Sequence, residues 1–161
     1  MIERDFIDNA FQPTLDDFKH HLRITGDAQD SLLMMYLKAA ISSAEHYIGR
    51  VIAISRFKVV TSSASIELSK PLVGVNSVEV GGKPLTKADY SIKENLVEIP
   101  CVKEGEEVKV VYTAGMNQVP FDIKASILLT AADLFTNPVD GVRNLPTAAS
   151  RLLDPYRNYE R

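Results

Sequence analysis

Apolar positions along this chain fall into two rhythms. Leu15, Phe18 and Leu22 recur at helical spacing behind Thr14, a candidate N-cap with Asp17 three residues on, so a short helix is predicted from Leu15 to Leu22. After Gly26, Asp27 offers a cap for a second helix in which Leu33, Leu37, Ala40, Ala44, Tyr47 and Ile48 form one stripe, and Gly49 takes the position past the last turn. A helix from Ala28 to Ile48 would be roughly 30 Å long, enough to serve as the spine of a small domain. From Arg50 the rhythm changes to short β-branched runs punctuated by Gly, Pro, Ser and Asn. Strands are predicted through Ser55–Thr61, Ser65–Leu68, Val75–Val80, Tyr90–Lys93, Leu96–Ile99 and Val108–Tyr112. Gly81-Gly82 and Glu94-Asn95 read as hairpin turns. Helical spacing returns after Pro120 in Ile123, Ile127, Ala131, Leu134 and Phe135, and Asn137-Pro138 stops it. Leu145-Pro146, with Pro146 at a first helical position, opens a short last helix through Leu152 and Leu153 that ends near Pro155.

The resulting fold class is α+β: a four-helix scaffold of two long antiparallel helices and two short ones, interrupted by a small, mainly antiparallel β insertion at about 51–113. Residues 1–13 form an N-terminal extension with no assigned element, and 14–161 a single domain. Leu33, Leu37, Ala40, Ala44, Ile127, Ala131 and Leu134 are the expected helical core.

A length of 161 residues suits one ordinary domain, and 45% hydrophobic with 24% charged residues fits a packed globular chain rather than a disordered one. Eighteen Lys and Arg against 21 Asp and Glu leave a net charge of −3, which disfavours general attraction to nucleic acid or anionic lipid. The single cysteine, Cys101, cannot form an intrachain disulfide. The start of the chain is acidic, with no secretory signal pattern, and its apolar runs fall short of the ~20 residues a bilayer span needs. No membrane partner and a cytosolic setting are expected.

Candidate chemistry is sparse. His20 and His21 are neighbours whose side chains diverge by about 100° on a helix, and His46 has no partner at ligand spacing, so no metal site is expected. Cys101 follows Pro100 at a strand end without a flanking His, and is read as a half-buried structural thiol. Val80-Gly81-Gly82-Lys83 lacks the spacing and the following helix of a phosphate loop. Asp16-Asp17 and Asp27 with Asp30 sit in first helical turns, where the helix dipole favours acid. Glu104, Glu106 and Glu107 read as a solvated loop. No catalytic residue, cofactor site or enzymatic activity is expected, and the residues alone point to binding or assembly.

The run Thr14-Leu15-Asp16-Asp17-Phe18-Lys19-His20-His21-Leu22-Arg23-Ile24, followed by Asp27 and Asp30-Ser31-Leu32-Leu33, resembles the opening of the head-tail connector (adaptor) proteins of long-tailed bacteriophages. Glu45-His46-Tyr47-Ile48-Gly49-Arg50 is similar to the end of that family's second helix. The stretch Pro71 to Val78 looks like the start of the β insertion carried by one branch. Further similarities are Val110 to Gly115, Pro120 with Ile123-Lys124 and Ile127 to Leu129, and Leu145-Pro146 leading to Leu152 through Arg157. The resemblance implies a phage or prophage structural protein that forms a ring of about twelve subunits, docks under the portal, extends the DNA channel and receives the next head-completion or tail protein. It implies host cytoplasm during assembly and the virion neck afterwards, with DNA passing through and no specific DNA binding. Thr136-Asn137-Pro138 replaces a more charged stretch typical of the family.

A ring of identical subunits needs two different patches that meet head to tail. Met34, Met35 and Tyr36, off the main stripe of the long helix, are candidates for oligomer or portal contact. So are Leu145, Tyr156, Arg157 and Tyr159, the last three in an aromatic and basic tail that includes Arg161. The alternative is a small non-enzymatic binding module whose β region recognises carbohydrate or peptide.

Overall fold

The computed structural model describes residues 1–7, 13–137 and 147–157. The chain forms two compact units, one from Met1–Ala10 and Ala53–Asn117, the other from Phe11–Ile52 and Gln118–Arg161. Each takes two separate stretches of sequence.

The first unit is all β. Strands β1 (Ile2–Phe6), β2 (Ser55–Thr61), β3 (Ser65–Glu67), β4 (Leu72–Val80), β5 (Lys83–Pro84), β6 (Ser91–Lys93), β7 (Leu96–Glu98) and β8 (Val108–Ala114) make two antiparallel sheets, ordered β1-β2-β8-β4-β5 and β3-β7-β6. Along β8 the side chains alternate strictly between buried and half-buried, the period-2 signature of a sheet with one packed face. Val108, Val110, Tyr112 and Ala114 point inward with Phe57, Val59, Val78 and Val80, and Phe57 stacks on Tyr112 with ring centroids 5.1 Å apart. The smaller sheet buries Ile66, Val97 and, just beyond its strands, Leu68 and Ile99. Both expected hairpin turns are present: Val80 pairs with Lys83 across Gly81-Gly82, and Lys93 with Leu96 across Glu94-Asn95, where Glu94 adopts φ 55°.

Strand β1 lies in the stretch to which the sequence assigned no element. Its inward row is interrupted by Arg4, whose guanidinium lies 4.2 Å from the Phe6 ring centroid and 5.3 Å from that of Phe57, while Nε donates to Ser55 Oγ at 3.1 Å. The flat cation therefore occupies a place that alternation reserves for an apolar residue.

The second unit is helical: α1 (Leu15–Leu22), α2 (Asp30–Ile48), α3 (Phe121–Thr136) and α4 (Thr147–Leu153), the last followed by a 3₁₀ turn at Asp154–Tyr156. Thr14 and Asp17 close a capping box, with Thr14 Oγ1 accepting from the Asp17 amide at 3.1 Å and Asp17 Oδ2 accepting from the Thr14 amide at 2.9 Å. The cap expected at Asp27 does not form: α2 begins at Asp30 behind Gln29, which makes no side-chain cap bond. Residues 27–29 are instead a turn closed by Asp30 N–H to the Asp27 carbonyl, and Asp30 binds Lys19 at 2.7 Å.

Tyr36, in the second turn of α2, meets Phe135 near the end of α3 edge-on, centroids 6.3 Å apart. At the other end Tyr47 of α2 donates to Asp154 Oδ1 at 2.6 Å, and Tyr156 donates to Asp122 Oδ2 in the first turn of α3 at 3.2 Å. These three pairs fix α2 and α3 as antiparallel. Leu33, Leu37, Ala40, Ala44, Ile127 and Ala131 are buried as expected, with Phe18, Ile41, Ile48 and Ile123. Leu134 is only half-buried, because it lies in the last full turn of α3, where the packed face runs out. Ser126 Oγ donates to the Ala149 carbonyl at 2.9 Å, a buried bond that ties α4 to α3. The expected helix start at Pro146 and the stop at Pro138 lie outside the described residues.

Candidate functional site

The expected interaction residues separate in space. On α2, the exposed positions from 31 to 43 are Ser31, Leu32, Met35, Ala39, Ser42 and Ser43, a face of small and apolar side chains on which no charge is exposed. A surface helix ordinarily carries charge on its outward face. Met35 is 55% exposed and Leu32 41%, so both present apolar area at the N-terminal half of the helix. Met34 and Tyr36 are half-buried, and Tyr36 spends its ring on Phe135.

The C-terminal turn brings Tyr156 and Arg157 to the opposite end of the helix pair. Arg157 lies over the Tyr47 ring, 5.2 Å from its centroid, and Tyr156 is bound to Asp122. Partial burial, then the charge and hydrogen bond of Asp122, push the Tyr156 phenol above its ordinary value, so it remains a hydrogen-bond donor. Beside them Phe121, the first residue of α3, is 86% exposed, with the Lys124 ammonium 5.6 Å from its ring centroid. Leu145 and Tyr159 lie outside the described residues.

Sequence reasoning missed Leu32 and Phe121. Both carried a signal: Leu32 stands three residues before Met35 and off the Leu33–Leu37 stripe, and Phe121 falls off the Ile123–Ile127–Ala131 stripe.

His20, His21 and His46 are exposed, and among the described residues no group of three His, Cys, Asp or Glu side chains could hold a metal ion. Cys101 is exposed rather than half-buried, since the chain leaves the small sheet after Ile99 and turns outward through Pro100. Among the described residues no helix is long and apolar enough to cross a membrane.

Residues 12–77 match the family model of the phage gp6-like head-tail connector protein. The matched stretch contains the Thr14–Ile24 and Glu45–Arg50 patterns on which the resemblance to connectors rests, and spans α1, α2, β2, β3 and the first part of β4. The whole chain also shares its fold with proteins of gene transfer agent (GTA) particles. One chain from the neck of an empty GTA particle computed with C6 symmetry superposes with a TM-score of 0.79 at 20% identity, over 100% of this chain and 97% of that one. A chain from the neck of a native GTA particle computed with C12 symmetry gives 0.79 at 19% identity with the same coverage. A chain from the virion of a native GTA particle gives 0.77 at 20%. No curated protein matches the sequence. The α+β fold with its β insertion between α2 and α3 is thus one that chains of GTA necks also adopt.

Proposed function

We propose that this chain is a structural head-tail connector of a phage, prophage or phage-like particle, acting without a catalytic step. The observation that carries the reading is the agreement of two independent similarities: a connector family match over 12–77, and a fold match to neck chains over the full length. In this reading copies of the chain form a ring under the portal, extend the DNA channel, and present a platform to the next head-completion or tail protein. A ring of about twelve subunits is consistent with the C12 symmetry of one matched neck. Met34, Met35, Tyr36, Tyr156 and Arg157 lie at or beside the contact surfaces, and Leu145 and Tyr159 are assigned to the same contacts. Assembly takes place in the host cytoplasm, and the finished ring resides in the neck.

A net charge of −3 per chain makes a ring of about twelve strongly anionic, so DNA phosphates are repelled on average and slide past instead of being held. Mass measurement by light scattering and electron microscopy of the purified protein, alone and mixed with a portal protein of the same particle, test the ring. Rings stacked on portals are expected, and a chain that binds neither itself nor the portal at any concentration overturns the reading. Duplex DNA retained on filters at submicromolar protein in a salt-sensitive way would overturn the passive channel.

A further inference from the structure

We draw no further inference here: the strongest candidate, the outer edge of β6 in the small sheet, where Ile92 extends the buried Ile66–Val97 row and is 44% exposed, carries none because nothing in the structure shows what covers it.

Discussion

Glu45 and Ile52 are joined across the end of the long helix: the buried amide of Ile52 donates to Glu45 Oε1 at 2.7 Å. The carboxylate thereby holds the outgoing chain against the helix it has just left, while the Glu45 carbonyl accepts from the Gly49 and Arg50 amides. Glu45→Ala strands the Ile52 amide away from water, and a loss of about 1.5–3 kcal/mol is expected in chemical denaturation. Glu45→Gln retains an acceptor oxygen and should cost distinctly less. Equal losses in the two variants would mean that the bond does not carry the effect.

A second close approach lies where the β unit opens and closes. A Cβ on Gly115 would stand 2.5 Å from Ile54 Cα and 2.7 Å from its nitrogen, and Gly115 adopts φ +140°. Backbone, unlike a flexible side chain, has nowhere to withdraw. Gly115→Ala is expected to destabilise by roughly 1–3 kcal/mol from strain and displacement together. A denaturation midpoint unchanged by the substitution would contradict this geometry.

The same contact means that the two ends of the 53–117 segment meet. Deleting residues 1–10 and replacing 54–114 with a short Gly/Ser bridge should therefore leave a chain that keeps its helical circular dichroism, because both strand-bearing stretches go together. A product with random-coil dichroism would show that the helices depend on the sheet.

Leu37 is fully buried in the middle of α2. Leu37→Ala should cost about 2–5 kcal/mol through lost burial and the cavity left behind. A loss well under 1 kcal/mol would remove Leu37 from the helical core.

The capping box gives a pH signature. The Thr14 amide, more than any other group, holds the Asp17 carboxyl below its ordinary value. A depressed folded-state value means that the stabilisation is complete above the ordinary aspartate range and fades as pH falls through the lower folded value. Thr14→Ala removes one of the two reciprocal bonds and should cost about 1 kcal/mol at neutral pH. Asp17→Asn should flatten the acid limb of the stability profile. An unchanged acid limb in that variant would assign it to other carboxylates.

Much of this fold was legible because short-range chemistry agreed with packing. Thr14 and Asp17 mark the start of α1, Pro120 the start of α3, and the β-branched run Ser55–Thr61 coincides with β2. Elsewhere long-range partners decided. Asp27 looks like a cap, but the engagement of Asp30 with Lys19 accompanies a start two residues later than a cap there would give. β4 begins at Leu72 and β8 runs on to Ala114 because Leu72 and Ala114 pair with each other, a match that neither segment shows alone. β1 was hidden by Arg4, whose place between aromatic rings exists only once Phe57 is brought alongside. At the candidate site, the pattern marks Met35 as off the core stripe, but exposure at Phe121 depends on where α3 begins to be covered. Tyr156 stands out in sequence only by its aromatic and basic surroundings, whereas its partner Asp122 lies 34 positions away.

The position of β1 also sets an order of events on the ribosome. Ile2–Phe6 is made before the other described elements, yet its partner β2 ends at Thr61, and β2 gains its other neighbour only when β8 is complete at Ala114. At about 5–20 residues per second, the first strand waits some seconds as an unpaired segment while both helices of the first half are already made. Glu3 and Asp5, which face Lys58 and Arg56 in the finished sheet, keep that waiting segment charged. The same two acids that complete the ladder therefore also discourage nascent chains from pairing with one another before β2 arrives.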